Sequence, residues 1–566
     1  MSLRRWLSDL QHRLERRAER LAAGRELVQG KSRGAAGDAD GEALMALRRA
    51  AVQAPNDPQA ALALAQGLAQ GGRAQEASER ARAAVAVAQR MDDWDAELAA
   101  CTLWQSLEPG APEPSIARAR ALAAAGRAPE AAAAYEAVLA EHGSRADVLM
   151  RLGSVYHDMV RAHDALRVWL QAVELEPGNV DALCVAGLGA RDAGDTALAE
   201  SLLLRAQAAA PDSSHAVFNL GLVRLDQGRL AEASAAFGTT RALTRGEPWG
   251  NAGFEERMAT CRCNPADRDW GTSRFKLGHD IEQLEYLRAR GKLGPAYDAV
   301  LQEYRYALTD RLLPEDPYSM VALDPRRYPL LAATYKRPLF VMDPDPPEGP
   351  LVNPDLPWAQ IEERYFDTRP GMVTIDGLLT APALAAVRAW CLESTVWNEL
   401  KGGYLGAYMH DGFSARLLLQ VAAELRERMP RVIRDRPLQT MWAYKYDPRY
   451  SGTGLHADVA AVNVNFWITP DEANLDPDSG GLVVYTHEAP RDWGFQRFNV
   501  GHEEIRAFLD AQGSGAVRVP YRENRALLFD SDLFHETDAF RFREGYANRR
   551  INITMLYGTR EAAPRI

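Results

Sequence analysis

The sequence has few cysteines, no excess of basic residues and no long apolar run, and each shortage excludes a class of protein. Five scattered cysteines in 566 residues do not form a disulfide framework and favour a reducing, cytoplasmic compartment. Asp and Glu number 77 against 66 Lys and Arg, so binding to nucleic acid through bulk positive charge is not expected. No apolar run is long enough for an integral membrane segment, and arginines interrupt the first thirty residues too often for a signal peptide.

The beginning of the chain predicts one amphipathic helix and a linker, together residues 1–41. Apolar residues recur at helical spacing among arginines and glutamates, and glycines then break the pattern. A basic amphipathic helix suits a membrane surface or a protein partner. We expect it to pack on the next domain or on a second copy of the chain.

A 34-residue period runs through residues 42–245. Gly153, Gly187 and Gly221 recur at this interval, and so do Pro177 and Pro211. Small residues let two antiparallel helices approach closely, and a proline stops the second helix so that the next hairpin can begin. The pattern resembles the tetratricopeptide repeat, which implies four or five helical hairpins stacked into a solenoid with a concave face.

Two segments depart from this period. An earlier copy of the repeat lies about twenty residues too far upstream, so we expect an irregular insertion near Met91 to Pro109. Residues 246–360 predict a helical and Pro-rich connector, with His279 through Leu308 helical. Within it Cys261 and Cys263 have no second cysteine pair, and we interpret them as structural rather than as metal ligands.

Residues 361–566 have short β-type runs separated by Gly, Pro, Asp and Asn clusters. Irregularly spaced short strands predict a closed or double-sheet antiparallel fold rather than βαβ units. The whole chain is therefore expected to be an α + β multidomain protein. The predicted elements are the strands Met372–Leu379, Met441–Tyr446, Val462–Ile468, Leu482–Tyr485, Val517–Val519, Ala526–Phe529 and Ile551–Tyr557, and the helices Pro382–Glu393 and Leu417–Met429.

One constellation in this region carries chemistry. His456 and Asp458 are two apart at a strand end and therefore point to the same side, and His535 follows further along the chain. Two histidines and one carboxylate on a β scaffold can occupy one face of an octahedral ion, as in non-haem Fe(II) oxygenases. The second histidine must then come from a strand that is adjacent in space.

The order of motifs from about residue 370 to 560 resembles the 2-oxoglutarate- and Fe(II)-dependent dioxygenases, in particular the prolyl-hydroxylase-like branch. The residues that carry this resemblance are Tyr446, His456, Asp458, Gly480, Gly481, His535, Arg550 and Asn552. The resemblance implies a double-stranded β-helix, or jelly roll, following the solenoid. It also implies that His456, Asp458 and His535 bind iron.

The same resemblance assigns the co-substrate pocket. Arg550 would pair in bidentate fashion with the distal carboxylate of 2-oxoglutarate, a geometry that suits a guanidinium. Asn552 would lie beside it, and Tyr446 would line the pocket or belong to the core. The adjacent Arg549 is the alternative anchor, since the choice rests on the Arg-x-Asn pattern. Asn465, with Asn463 on the same strand face, would contact the co-substrate or make structural hydrogen bonds.

These assignments imply an enzyme that hydroxylates a C–H bond with Fe(II), 2-oxoglutarate and O₂, with ascorbate as a reductant. The retained Asp458 favours hydroxylation over halogenation, because related halogenases replace the carboxylate. The substrate is expected to be a protein or peptide bound to the concave face of the repeats. The alternatives are a small-molecule substrate with the repeats serving homodimerisation, or a repeat scaffold with an inactive oxygenase domain.

Overall fold

The computed structural model describes residues 41–91, 93–159, 161–260, 271–450, 452–491, 493 and 496–560. It divides into two compact units, Met1–Ala193 and Gly194–Ile566. The predicted N-terminal helix and linker, apart from Gly41, lie outside the described residues, as do Cys261 and Cys263. None of the described helices is both long and apolar enough to span a bilayer.

The described part of the first unit is built of antiparallel α-helices. Helices that begin at Pro112, Ala146 and Val180 are 34 residues apart, and the helices at Ala128 and Ala162 repeat the same interval. The chain therefore has a tetratricopeptide-like helical repeat, as its sequence predicts. The helices are α1 (Glu42–Gln53), α2 (Pro58–Gln70), α3 (Ala74–Arg90), α4 (Trp94–Leu107), α5 (Pro112–Ala124), α6 (Ala128–His142), α7 (Ala146–Asp158), α8 (Ala162–Leu175) and α9 (Val180–Asp192).

The recurring glycines are explained by helix packing. Gly153 in α7 lies against the indole of Trp169 in α8, and a Cβ atom there would lie 2.2 Å from Trp169 Nε1. A small residue at this position leaves room for a large ring from the partner helix. The contact between the two helices is therefore close-packed, as protein interiors are. At two of the recurring positions, Gly153 and Gly221, the glycine thus leaves room for an aromatic ring of the following helix.

The predicted insertion is a regular helix, α4, and not an irregular segment. The side chain of Asp93 caps its first turn by accepting a hydrogen bond from the backbone N–H of Ala96 at 3.0 Å. Ala96, Ala100 and Trp104 recur every four residues and are buried, so one additional helix accounts for the displaced period.

The second unit begins with three further repeat helices, α10 (Thr196–Ala209), α11 (Ser214–Asp226) and α12 (Leu230–Arg245). Here Gly221 faces Phe237 as Gly153 faces Trp169. Phe237 shares a hydrophobic core with Trp390 of the C-terminal region, and the Arg245 guanidinium donates to Asp411 Oδ2 at 2.8 Å. The last hairpin is therefore packed into the same unit as the β-sheets.

Residues 246–260 and 271–340 contribute helices that pack around a hydrophobic core of their own. The predicted single helical stretch from His279 to Leu308 is two helices, because Gly291, Gly294 and Pro295 break it. The elements are α13 (Phe254–Thr260), α14 (Arg274–Ala289), α15 (Tyr297–Leu308) and α16 (Pro329–Thr334), with the two-residue strands β1 (Gly271–Thr272) and β2 (Val321–Ala322).

The C-terminal region contains two antiparallel sheets. Seven strands are ordered β3-β10-β7-β12-β6-β5-β4 and three are ordered β11-β8-β9. The strands are β3 (Met372–Asp376), β4 (Glu399–Leu400), β5 (Tyr404–Tyr408), β6 (Leu438–Tyr446), β7 (Val462–Trp467), β8 (Leu482–Glu488), β9 (Ala516–Val519), β10 (Arg525–Asp530), β11 (Leu533–Thr537) and β12 (Ile551–Tyr557), and the helices are α17 (Trp358–Asp367), α18 (Ala381–Glu393), α19 (Arg416–Arg428) and α20 (His502–Ala511).

The two faces of the seven-stranded sheet have different neighbours. Val462, Val464 and Phe466 of β7 belong to the core that includes α18 and α19. Trp467, on the opposite face, packs in a second core with residues of β8, β9 and β11. The three-stranded sheet therefore covers the face that carries Asn463, Asn465 and Trp467, because side chains two apart on a strand share a face.

Every strand predicted in this region is present, and Ile551–Tyr557 has the predicted bounds. The sequence did not indicate β4, β5 or β11. The first two belong to an aromatic and Gly-rich segment, and β11 begins directly after the Asp-rich turn that follows β10.

Candidate metal centre

The structure brings His456, Asp458 and His535 together. One donor atom from each side chain lies within 4.8 Å of the other two. The Asp458 carboxylate lies 3.5 Å from His535 Nε2 and 3.9 Å from His456 Nε2. Donors about 2.1 Å from one ion are about 3 Å apart when they occupy adjacent positions, so a small approach lets the three share one ion.

Backbone pairing holds the two histidines side by side. His456 and His535 form an antiparallel bridge in which each N–H donates to the other's carbonyl, at 3.0 and 2.8 Å. Asp458 N–H donates to Ser531 O at 3.2 Å, which holds the segment against the turn between β10 and β11. In this pairing His535 comes from a strand that lies beside His456, which is the arrangement that a shared ion requires.

Hydrogen bonds also determine which ring nitrogens are free. His456 Nδ1 lies 2.7 Å from the Gly454 carbonyl, and His535 Nδ1 lies 3.1 Å from the Leu533 carbonyl. A carbonyl only accepts, so each Nδ1 carries the proton and each Nε2 presents a lone pair. Both Nε2 atoms are on the side of Asp458, as metal-binding histidines require.

The electrostatics of His456 and Asp458 favour the forms of these two side chains that bind a metal ion. Burial, together with the neighbouring His535, lowers the pKa of His456 to about 4. Burial alone would raise the pKa of Asp458, but His535, His456 and the amide of Asn463, all close to the carboxylate, hold that pKa below its usual value. Neutral imidazoles and an ionised carboxylate are the states that bind a cation.

Arg550 lies buried on the same side of the seven-stranded sheet. Its guanidinium donates to the carbonyls of Gly480 at 2.7 Å and Gly481 at 3.2 Å, and to Asn552 Oδ1 at 3.3 Å. The Arg550 side chain is buried, with only 1% of the residue exposed. Among the residues that the structure describes, no Asp or Glu forms an ion pair with its guanidinium. A buried charge without a counter-charge is costly, so this guanidinium is suited to an anionic ligand.

Arg549 has a different environment. Its guanidinium donates to Glu282 Oε2 at 2.9 Å and forms an ion pair with that carboxylate. The ring of Phe275 lies 5.5 Å from it. Of the two adjacent arginines, Arg549 is neutralised by α14, whereas Arg550 shares its surroundings with Asn552.

Aromatic rings surround the Arg550 guanidinium. Its central carbon lies 4.7 Å from the Tyr446 ring and 5.5 Å from the Phe540 ring. The Tyr446 hydroxyl is 3.4 Å from Thr537 Oγ1, so this tyrosine is close to β11, which carries His535. Phe540 lies in the loop between β11 and β12, and this loop places its ring against the arginine.

A chain of polar side chains connects the arginine with the triad. Asn552 Nδ2 and Asn465 Nδ2 both donate to Thr554 Oγ1, at 3.4 and 2.9 Å. Asn463, two residues before Asn465, donates to Asp458 Oδ2 at 2.7 Å. The face of β7 and β12 between the two ends is therefore polar and buried.

Four polar atoms in this interior have no hydrogen-bond partner among the described residues. They are Asn463 Oδ1, Asn465 Oδ1, Trp467 Nε1 and Trp442 Nε1. Buried polar groups normally find partners because leaving one unpaired costs about 1–3 kcal/mol. A polar ligand that entered this interior would offer partners to these atoms.

Sequence reasoning missed Trp442, Thr554 and the carbonyl groups of the two glycines as parts of this interior. Gly481 carried a detectable signal, because a Cβ atom there would lie 1.9 Å from the Val519 carbonyl oxygen and a Gly-Gly pair before a strand often marks such a close approach. The alternation of Trp442 with Tyr444 and Tyr446 predicts that the three side chains share one face of a strand. It does not indicate that this face lines the interior that holds the triad.

At the level of sequence, no protein-family model matches the chain, and neither does any curated protein. Solved structures with partial likeness include MamA from Desulfovibrio magneticus RS-1, at 20% identity and TM-score 0.27 over 28% of this chain and 90% of that one. YrrB, described as a TPR protein with an unusual peptide-binding site, is 17% identical over 34% of this chain and 88% of its own, at TM-score 0.23. Yeast Tom70 is 16% identical over 36% and 46% of the two chains, at TM-score 0.27.

Proposed function

We propose that this protein is a 2-oxoglutarate- and Fe(II)-dependent dioxygenase that hydroxylates a C–H bond of a protein or peptide substrate. The observation that carries the proposal is one buried interior with two opposite ends. One end has two imidazole Nε2 atoms and a carboxylate within 4.8 Å. The other has the guanidinium of Arg550, which no described carboxylate neutralises.

The strand order supports a double-stranded β-helix. From β6 the chain passes to the His456 bridge beside β11, then to β7, to β8 and β9, to β10, to β11 and to β12. It thus alternates between the seven-stranded and the three-stranded sheet. This winding is what the jelly-roll assignment requires, and it brings His456 and His535 together from distant parts of the sequence.

The donor set fits iron. Two neutral imidazoles and one carboxylate on one side leave positions open for other ligands, which is the arrangement typical of non-haem Fe(II) oxygenases. When bound, Fe(II) supplies the reduction of O₂ coupled to decarboxylation of 2-oxoglutarate, so that RH, O₂ and 2-oxoglutarate become ROH, succinate and CO₂.

The chain's own residues bind and orient the co-substrate. Arg550 would hold the distal carboxylate, and its bonds to Gly480, Gly481 and Asn552 fix the plane of the guanidinium. Trp467 Nε1, a buried donor without a described partner, would donate to a further oxygen. The aromatic rings of Tyr446 and Phe540 exclude water from the ion pair, which strengthens it.

The helical repeats support a polypeptide substrate. Stacked helical hairpins present extended surfaces that usually bind polypeptides, and YrrB is described as having a peptide-binding site. The repeats would then recruit the substrate and the sheets would modify one of its side chains. Homodimerisation through the repeats, with a small-molecule substrate, is the alternative outcome.

The test supplies purified protein with Fe(II), ascorbate and 2-oxoglutarate and measures succinate. Release that requires both Fe(II) and 2-oxoglutarate, and that Asp458→Ala abolishes, is expected. Full release by Asp458→Ala would contradict the metal centre. Incubation of the active protein with a peptide extract under ¹⁸O₂, followed by mass spectrometry, is expected to show one labelled oxygen on a peptide, whereas label only on small molecules would favour the alternative.

A further inference from the structure

Asn463 is fully buried in the middle of the sheet and touches the triad. Its Nδ2 lies 2.7 Å from Asp458 Oδ2, the carboxylate oxygen that is 3.5 Å from His535 Nε2. The residue lies on β7 at the register of Leu556 of β12 and Phe529 of β10. Asn is disfavoured in strand interiors, so a fully buried Asn here requires a reason other than propensity.

The chemistry of the contact determines how the amide is oriented. An ionised carboxylate can only accept hydrogen bonds, so the NH₂ group of Asn463 must face Asp458. The carbonyl Oδ1 then points away from the carboxylate. It is buried and has no partner among the described residues, so it requires a donor that a bound molecule supplies.

The chemistry of the two candidate donors to Asn463 Oδ1, 2-oxoglutarate and water, distinguishes between them. 2-Oxoglutarate at neutral pH has only acceptor oxygens, so it cannot satisfy Asn463 Oδ1. A water molecule has two donor hydrogens, and one bound beside the triad would be within reach of an amide that already touches the ligand carboxylate. Asn465 is different, because its partner Thr554 Oγ1 can donate or accept and its amide can adopt either orientation.

We propose that Asn463 is a positioning residue of the metal centre. Its Nδ2 holds the Asp458 carboxylate in the orientation that binds the ion, and its Oδ1 accepts a hydrogen bond from a water ligand of that ion. This inference rests on the proposed metal centre but not on the co-substrate or on the reaction. Substitution of a residue that hydrogen-bonds to a metal ligand typically lowers the metal affinity tenfold to a hundredfold.

Asn465 provides a matched control. It is two residues further along the same strand and faces the same interior, but it is hydrogen-bonded to Thr554 rather than to a ligand of the triad. Substitution to Leu preserves side-chain size at either position and removes both polar groups. Any general effect of replacing a buried asparagine in β7 is therefore common to the two variants.

The test measures Co²⁺ binding by calorimetry, without 2-oxoglutarate, in the full-length protein, Asn463→Leu and Asn465→Leu. We expect Asn463→Leu to bind Co²⁺ at least tenfold more weakly, with a shifted visible absorption spectrum, and Asn465→Leu to stay within twofold of the unchanged protein. Equal affinities and spectra for all three, or equal loss in both variants, would overturn the role of Asn463. Absence of Co²⁺ binding by the unchanged, folded protein would instead overturn the metal centre together with the inference.

A second measurement addresses the water and does not depend on affinity. In protein saturated with Mn²⁺, water-proton relaxation reports the residence time of ion-bound water. Loss of the hydrogen bond in Asn463→Thr, a substitution suited to a strand, is expected to shorten that residence time several-fold. An unchanged residence time in folded, Mn²⁺-saturated Asn463→Thr would show that Oδ1 does not hold the water.

Discussion

Two histidines, one from the helical repeats and one from the β-sheets, show how the two regions treat polar groups. His157 in α7 lies between two carboxylates, with Nε2 3.5 Å from Asp192 and Nδ1 4.0 Å from Asp158. These partners raise its pKa to about 9. His456 has one nitrogen on a backbone carbonyl and the other facing the triad, and burial lowers its pKa to about 4.

Other polar groups of the two regions also differ in their surroundings. Many charges of the repeats are paired at the surface, as Arg127 with Glu130 and Arg161 with Asp164, and exposed pairs of this kind contribute little to stability. The interior between the sheets holds a buried arginine that has no carboxylate partner among the described residues, together with several amide and indole atoms that lack partners there as well. Such an arrangement is unfavourable without a ligand, which is why the proposed co-substrate is placed between the sheets and not on the repeats.

The largest expected effect separates the two histidines by activity. His456→Ala removes one of three metal donors, so we expect co-substrate-dependent succinate release to fall at least a hundredfold. His157→Ala removes a half-exposed side chain in the repeats and is expected to leave this release unchanged. Succinate measured over time from both variants checks the prediction, and equal turnover by His456→Ala would remove that residue from the ligand set.

The next effect concerns the adjacent arginines. Arg550→Ala should weaken 2-oxoglutarate binding by roughly tenfold to a hundredfold, because charge-assisted bonds in a buried interior are lost. Arg549→Ala, whose partner is Glu282, should change this affinity less than threefold. Calorimetric titration of 2-oxoglutarate into anaerobic protein loaded with Mn²⁺ measures both, with circular dichroism to check folding. The opposite ranking would contradict the assignment of the anchor.

A smaller effect tests the packing of the repeats. Gly221→Ala introduces a Cβ atom 2.6 Å from the ring of Phe237, and we expect it to lower the free energy of unfolding by about 1–3 kcal/mol. Gly238→Ala, in the partner helix α12, meets nothing within 4 Å and should raise that free energy by about 0.5–1 kcal/mol. Urea unfolding of the two variants measures the difference, and equal destabilisation would contradict the packing explanation of the 34-residue period.

The smallest expected effect is a difference in pH dependence. The raised pKa of His157 stabilises the folded state below pH 6.5, and this stabilisation is lost as the pH rises through about 9. The lowered pKa of His456 destabilises the folded state as the pH falls from 6.5 to about 4. In this range the unfolded chain binds a proton at this histidine and the folded chain does not.

Thermal unfolding without metal, recorded from pH 4 to pH 10, tests this pair. His456→Gln should lose part of the decrease in melting temperature between pH 6.5 and pH 4, because its amide does not titrate. His157→Gln should lose part of the decrease between pH 6.5 and pH 9. Slopes identical to those of the unchanged protein would show that neither histidine is linked to folding in this way.

Much of the fold follows from local patterns, and the reasons for the exceptions are physical. Ile551–Tyr557 was predictable because its residues are strongly β-forming and bounded by turns. Strand β11 was not, since its pairing with β8 and with His456 is made by residues far away in sequence. The helix α4 was missed because the 34-residue count treats any extra element as an irregularity.

The candidate site divides in the same way. The residue types and order of His456, Asp458, His535 and Arg550 are visible in one dimension. That Arg549 pairs with Glu282 depends on the position of α14, which no pattern near residue 549 reports. The unpartnered oxygen of Asn463 likewise requires knowledge of every neighbour in three dimensions.

The sequence by itself determined the helical period, most of the strands and the order of the histidines, aspartate and arginines in the candidate site, because these depend on residue type and on spacing along the chain. Only the tertiary structure decided which arginine is neutralised, which imidazole nitrogens are free and which buried atoms lack partners. Those properties depend on distances between segments that are remote in sequence, and electrostatic and hydrogen-bond energies are functions of such distances.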